Sequence, residues 1–405
     1  MSHQPLNQHA LNVLNQLKGA QLIFQGEISA VVGDPNAELT CTLQIHDTQL
    51  FKLIAKDGVL GASEAYIQGF WDVDDLVCLV RILVRNRDLL DSMNSKPLVK
   101  ASQLVMRAWH NRRKNSKQGS QRNIADHYDL SNEFFQLFLD DNMMYSCAMF
   151  NKHALNTMSL NADTLERASD EKLNTICQKL KLTASDHVIE IGTGWGGFAL
   201  YAAKHYGCYV TTTTISEQQY QLAKQRVQDA GLSNKITLLK QDYRELTGSF
   251  DKLVSIEMIE AVGHHYLSTY FKTCQHLLKP DGLALIQAIT IEDTRYEKAL
   301  KTVDYIKRYV FPGSFIPCSS VIVNHASDAG LKLMDYNDIG LSYALTIKHW
   351  RTRFFDKLDQ VRALGFDERF IRMWEFYLCY CEGGFLEETI SDAHLLFKNN
   401  MRSNA

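Results

Sequence analysis

No run of about 20 consecutive apolar residues occurs in this 405-residue chain, so no segment is suited to cross a bilayer as a helix. Proline (6 residues) and glycine (22) are too sparse for a collagen-like repeat, and 45% hydrophobic residues is too many for a disordered protein. Charge of one sign is also lacking: 43 Lys and Arg stand against 46 Asp and Glu, a net charge of -3. The nine cysteines form no CxxC pair and are odd in number. That excludes a disulfide framework or a zinc site and predicts reduced thiols in a cytoplasmic protein. The adjacent His264 and His265 have no third ligand near them in the sequence, so no metal site is expected. The first 22 residues have no basic segment followed by an apolar core, and no secretory signal is expected.

What is present divides the chain in three. Residues 1–106 read as a small α+β domain: Leu39, Cys41, Leu43 and Ile45 alternate as on a half-buried strand, after turn chemistry at Gly33-Asp34-Pro35-Asn36. Leu76, Val80, Leu83 and Leu90 follow at near-helical spacing. Residues 107–123 read as a linker carrying Arg107, Arg112, Arg113, Lys114, Lys117 and Arg122 without an acid. A solvated charge run is its plain reading; attraction to an anionic membrane surface is the functional one. No DNA-reading motif accompanies it, and no nucleic-acid partner is expected. Residues 124–405 read as a larger domain, to which the candidate site residues below assign the catalytic role. From 186 to 291 strand and helix patterns alternate, which predicts a parallel sheet covered on both faces.

The first strand-to-helix turn of that region reads EIGTGWGG (190–197) and satisfies GxGxxG through Gly192, Gly194 and Gly197. A nicotinamide dinucleotide also wants an acid closing the second strand, about 20 residues on. That strand ends Thr213-Thr214-Ile215 with no carboxylate before Glu217. S-adenosylmethionine fits better. Glu190 can orient its charged amino-acid end, while Asp242 and Tyr243 after the third strand suit an adenine's amine and face. The run Leu-Lys-Pro-Asp-Gly before the fifth strand is frequent in class I methyltransferases.

Together these segments resemble the cyclopropane-fatty-acyl-phospholipid synthases, relatives of the mycolic acid cyclopropane synthases. HYDLSNEFFQLFLDDNMMYSCAMF (127–150) resembles their HYDL-to-YSC signature, EIGTGWGG their glycine loop and TISEQQ (214–219) the turn after it. EMIEAVG (257–263), RYVFPGSFIP (308–317) and LSYALTIKHWRTRF (341–354) extend the likeness, and GASEAYIQGFWDVDDL (61–76) resembles the smaller N-terminal domain of the bacterial enzymes. The resemblance implies a class I, Rossmann-like S-adenosylmethionine methyltransferase fold. The activity it implies is transfer of a methylene from S-adenosylmethionine to a cis double bond of a phospholipid acyl chain, by way of a carbocation deprotonated by bound bicarbonate. It implies peripheral contact with the inner membrane surface and a homodimer as well.

Position by position, the resemblance assigns Tyr145 and Ser146 to the cofactor, Gly192, Gly194 and Gly196 to its methionine and ribose, and Thr214, Ile215 and Gln219 to the ribose side. Asp242 and Tyr243 take the adenine. Cys147, Glu260, Ile289 and Tyr343 fall on the bicarbonate positions, and His127 is a candidate cofactor contact. Tyr309 and Phe311 offer ring faces to a cation, and the run Trp374, Phe376, Tyr377, Tyr380 and Phe385 reads first as core. Two residues depart from the pattern. Thr193 replaces a cysteine of the glycine loop, and Gln287 replaces a histidine on the fifth strand. A glutamine offers an anion only a neutral amide. Gln287 therefore motivates an alternative, a C-methyltransferase that acts on acyl chains and leaves a methyl or methylene product. A non-catalytic lipid-binding protein and a nicotinamide oxidoreductase complete the alternatives.

Overall fold

The computed structural model describes residues 11–94, 102–103, 106 and 130–400. The basic run 107–122 and His127 lie outside the described residues. The chain forms two compact units, one from residues 1–112, 299–312 and 359–389, the other from 113–298, 313–358 and 390–405. Two segments that the sequence assigns to the catalytic domain, 299–312 and 359–389, thus pack with the N-terminal unit. All nine cysteines are free thiols, and among the described residues no helix is long and apolar enough to cross a membrane.

The first unit holds a four-stranded sheet in the order β2-β1-β3-β4, from β1 (Ala20–Gly26), β2 (Ala30–Gly33), β3 (Leu39–Ile45) and β4 (Trp71–Val73). Leu39, Cys41, Leu43 and Ile45 are all buried, as their alternation requires. Asn36 N–H donates to Asp34 Oδ1 in the expected turn. Helices α1 (Gln49–Asp57) and α2 (Val59–Ile67) follow β3, and α3 (Leu76–Arg85) follows β4. Asp75 caps α3 by accepting from Cys78 N–H at 2.9 Å. The apolar face of α3 is covered by the helix Glu368–Leu386, where a Cβ on Gly383 would come within 2.5 Å of Val80. Arg81 and Arg85 both reach Glu387. Trp374, Phe376, Tyr377 and Phe385 are buried core of this unit. Tyr309 donates to Glu64 and Phe311 stacks edge-on to Tyr377, so these two candidate cation-facing rings are spent on packing inside the first unit.

The second unit is a seven-stranded sheet in the order β10-β11-β9-β8-β5-β6-β7. Its strands are β5 (His187–Ile191), β6 (Tyr209–Thr214), β7 (Ile236–Lys240), β8 (Phe250–Ile256), β9 (Leu278–Ile291), β10 (Leu331–Asp338) and β11 (Ile390–Asn399). β5 to β9 run parallel, and β11 pairs antiparallel with both β9 and β10. Helix α4 (Leu165–Lys179) and α5 (Gly197–Tyr206) close one core with Leu173, Ile176, Val188, Phe198, Ala202 and Val210. Helix α6 (Glu217–Asp229) starts at Ser216, whose hydroxyl caps it by accepting from Gln219 N–H. Helix α7 (Leu267–Leu277) stops three residues before Pro280. Pro280 lies inside the extended segment of β9, where the register with β8 jumps from Leu278 to Leu283, so its missing N–H costs no ladder bond. The last helix of this unit, α8 (Gly340–Asp356), carries Tyr343.

In α2, a Cβ at Gly61 would collide with the Leu53 carbonyl of α1. Gly61→Ala is expected to lower the urea midpoint at a cost of about 2 kcal/mol, overriding the better helix propensity of alanine. An unchanged or raised midpoint would mean that the two helices separate freely.

Candidate active site

The residues singled out in the sequence gather at the carboxyl ends of the parallel strands, where such sheets place ligands. After β5, Gly192, Gly194 and Gly196 all adopt positive φ, +102°, +52° and +86°. Gly196 opens helix α5, and a Cβ at Gly194 would meet nothing within 4 Å. Gly197 serves packing instead, since a Cβ there would strike Met144 Sδ and come within 2.6 Å of Asn142 O. Its lack of a side chain brings the segment before Tyr145 onto the glycine loop. Arg226 of α6 ties the two together, donating to Asn142 O, Trp195 O and Asp141 O at 3.1, 2.8 and 2.9 Å.

Glu190 is 2% exposed and accepts from Thr212 Oγ1 at 2.6 Å. The Thr212 hydroxyl in turn meets that of Thr193 at 2.7 Å, so the residue that departs from the usual cysteine belongs to a hydroxyl relay. Burial drives Glu190 from 4.5 up to about 8, against the lowering effect of Thr212. After β6, Thr214 Oγ1 donates to Gln219 Oε1 at 2.8 Å, holding the turn through Ile215 to α6. After β7, Asp242 receives Arg244 on both oxygens at 2.8 and 2.6 Å. The Tyr243 ring packs edge-on to Tyr270 at 5.7 Å, and its buried hydroxyl has no hydrogen-bond partner among the described residues. A positive-φ cradle with open space at Gly194, a buried acid and an orphaned hydroxyl fit a nucleoside carrying an amino-acid arm. S-adenosylmethionine is such a molecule.

A second cluster adjoins the loop: a Cβ on Gly192 would lie 3.2 Å from Met258, and Glu257 stands between Met258 and the end of β8. Glu257 adopts φ +46°, a left-handed conformation rare for a residue with a side chain. Its Oε1 accepts from Cys147 N–H at 2.7 Å and Gln287 Nε2 at 2.8 Å, and its Oε2 accepts from Tyr343 Oη at 2.6 Å. Gln287 is fully buried; its amide oxygen faces His394 Nε2 at 3.2 Å, which orients its nitrogen to Glu257. Burial lowers His394 to about 3, leaving a neutral ring. Ile289 N–H donates to Glu260 Oε1 at 2.6 Å, in a 3-10 turn after β8. Burial, then the charge of Glu257, raises Glu260 to about 8. Asp392 of β11 is wholly buried; desolvation, then Glu257, pushes it well above the carboxylate range. Lys172 of α4 is wholly buried too and donates to Ser146 Oγ at 2.6 Å. Burial lowers its ammonium despite the attraction of Glu257, Asp140 and Asp392.

The donors that the resemblance assigns to bicarbonate are therefore split. Cys147, Tyr343 and Gln287 converge on Glu257, and Ile289 serves Glu260. The Cys147 thiol is buried and raised by desolvation, so its backbone makes the contact and the sulfur is no nucleophile. The sequence reading missed Glu257, Lys172 and Asp392. Glu257 lies within the quoted EMIEAVG and follows an apolar strand, the same signal that picked out Glu190. Lys172 shares its helix face with Ala168 and Ile176, an apolar stripe that a lysine should avoid. Asp392 carries no pattern of its own.

The comparisons with known proteins decide the family. The family model "Mycolic acid cyclopropane synthetase" matches residues 115–395. The chain belongs to this family. It is 35% identical over 367 residues to a tuberculostearic acid methyltransferase of Mycobacterium tuberculosis, covering 90% of this chain and 84% of that one. It is 32% identical over 371 residues to the cyclopropane-fatty-acyl-phospholipid synthase of Escherichia coli strain K12, covering 91% and 90%. Among solved structures, a mycolic acid cyclopropane synthase complexed with SAH and CTAB aligns with a TM-score of 0.62 at 26% identity, over 69% of this chain and 98% of that one. The fold of this synthetase-family protein is the class I S-adenosylmethionine methyltransferase fold that the sequence predicts.

Two outcomes test the cofactor side. Asp242→Ala is expected to weaken binding of S-adenosylhomocysteine about tenfold or more by calorimetry; an unchanged dissociation constant would remove Asp242 from the adenine site. For Glu190, the unfolded chain ionises near 4.5 and the folded one near 8, so between these values only the folded state holds the proton. Stability then falls as pH rises through that window. Glu190→Gln cannot ionise, and from about pH 5 to about pH 8 it should lose less stability than the parent in urea melts. Parallel losses would contradict the buried, protonated acid.

Proposed function

We propose that the protein uses S-adenosylmethionine to alkylate a cis double bond in the unsaturated acyl chains of membrane phospholipids, working at a membrane surface. The observation that carries this reading is the meeting of the glycine loop with a carboxylate cluster walled by Tyr145, Tyr343 and Trp350. The Tyr145 and Trp350 rings lie 5.2 Å apart, and Tyr343 stands edge-on to Trp350 at 6.0 Å.

When bound, S-adenosylmethionine supplies a methyl carbon made electrophilic by its sulfonium. Glu190, Gly192, Gly194, Gly196, Thr214, Ile215, Gln219, Asp242 and Tyr243 would hold it, with Tyr145 and Ser146 from the opposite loop. An alkene is a weak nucleophile, and the site must above all hold it in line with that carbon. Its attack leaves a carbocation that water would trap. The aromatic wall excludes water and presents ring faces to the charge. A carboxylate of the cluster then removes a proton. The donors that the resemblance assigns to bicarbonate are engaged by Glu257 and Glu260, so no step is given to that ion.

One cation can give several products. Loss of a proton from a chain carbon leaves a methyl-branched alkene, a 1,2-hydride shift followed by loss from the transferred carbon leaves a methylene branch, and loss from the transferred carbon without that shift closes a cyclopropane. Gln287, bound to Glu257 in place of the usual histidine, supports the branched product, as does the similarity to the tuberculostearic acid methyltransferase. Similarity to the cyclopropane-fatty-acyl-phospholipid synthase over 91% of this chain supports the ring as the second reading.

Vesicles of monounsaturated phospholipid, incubated with the protein and methyl-labelled S-adenosylmethionine, distinguish the readings by lipid mass spectrometry. A gain of one labelled carbon in an acyl chain that hydrogenation still reduces is the expected result. A gain that resists hydrogenation makes the product a cyclopropane. Lipid binding with no gain in any acyl chain would overturn the proposal.

A further inference from the structure

The Glu257 carboxylate has the same planar O–C–O head as bicarbonate, and the fold presents it to the donors that such an anion would need. Oε1 takes the Cys147 N–H and the Gln287 amide, Oε2 the Tyr343 hydroxyl. The backbone fixes it from behind, because Glu257 N–H donates to Gln287 O at 2.9 Å. Gln287 thus grips the residue at both main chain and side chain, with its own amide oriented by His394. The φ of +46° is a left-handed conformation that strains a residue with a side chain and that glycine would adopt freely. The neighbouring acids suit the arrangement: burial, and then the charge of Glu257, raises both Glu260 and Asp392.

We propose that Glu257 is the proton acceptor of the reaction, a covalently attached carboxylate standing where a diffusible bicarbonate would otherwise bind, so that turnover needs no bicarbonate. The inference rests on the alkylation reading above. In the step, the double bond's electron pair forms the new carbon–carbon bond as the carbon–sulfur bond breaks and its pair stays with sulfur. The other alkene carbon becomes cationic. Glu257 takes a proton from a neighbouring carbon, the C–H pair closes the new C=C bond or ring, and the resulting carboxylic acid returns its proton to water. Gln287 also acquires a reason: an anion that is part of the protein has only to be oriented, which a neutral amide does, and no cation is needed to recruit it from solution.

The test compares the full-length parent with Glu257→Gly, a change that relieves the left-handed backbone, and retained affinity for S-adenosylhomocysteine reports that the variant is folded. Turnover on monounsaturated phospholipid vesicles is measured in buffer purged of carbon dioxide and again with bicarbonate added. Binding of isotope-labelled bicarbonate to each protein with S-adenosylhomocysteine is followed by carbon NMR. The parent is expected to turn over equally in both buffers and to bind no bicarbonate. Glu257→Gly is expected to lose about 100-fold or more in turnover while keeping its affinity for S-adenosylhomocysteine, to bind bicarbonate, and to recover severalfold when it is added. Parental turnover that falls without bicarbonate, or a Glu257→Gly variant as active as the parent, would overturn the proposal. If the parent alkylates no lipid, the alkylation reading fails on its own, and the binding measurement still decides the place of Glu257. Binding to the variant but not to the parent sustains it, and any other pattern overturns it.

Discussion

A carboxylate drawn even partly out of water must be met by hydrogen-bond donors, and the active-site end of the sheet is organised by that demand around the half-buried Glu257. Glu257 draws one donor from the loop at Cys147, one from β9 at Gln287 and one from α8 at Tyr343. These elements are distant in sequence, and what they share is an obligation to one anion. Removing the charge would leave a buried amide and a buried main-chain N–H seeking partners, so the cluster is held together from its centre. Lys172, attracted by Glu257, donates to Ser146 Oγ at 2.6 Å and so joins the cluster to the loop that carries Tyr145 and Ser146.

The second organising contact is steric. Gly197 admits the segment at Asn142 and Met144 against the glycine loop, and the Arg226 guanidinium secures it with three carbonyl bonds. Tyr145, Ser146 and Cys147 follow directly on that segment. The aromatic wall is built on the same anchor: Tyr145 packs on Phe135 and Trp350, while Trp195 of the glycine loop packs on Phe135 and donates to Asn132. Glycine loop and aromatic wall are therefore two faces of one packed structure.

Much of this was legible in the amino-acid order. The alternation of β-branched strands and capped helices gives the parallel sheet, because each element's periodicity is local. The glycine loop, Glu190 near the end of β5 and Asp242 after β7 are visible because strand ends carry ligands in such folds. Glu257 was harder to see: its meaning depends on a backbone angle and on donors at Cys147, Gln287 and Tyr343, far apart along the backbone. Asp392 and His394 are invisible for a related reason, since β11 reaches β9 only through tertiary pairing. In the sequence Gln287 stands out only as a loss of positive charge; the structure gives it a partner, Glu257, that makes the loss coherent. The helix Glu368–Leu386 was read as core, but nothing local says which unit's core it completes.

That helix has a consequence for how the protein is made. The apolar face of α3, at residues 76–85, is finished by residues 368–386, which leave the ribosome only after most of the second unit has been synthesised. Until then the N-terminal segment carries an uncovered stripe of leucine, valine and isoleucine, and domain-by-domain folding in order of synthesis is closed to it. The second unit is likewise incomplete until β11, its last strand, slots between β9 and β10. Both units are thus sealed by the stretch from 368 to 399, and loss of that short tail would unmake the whole protein rather than trim it.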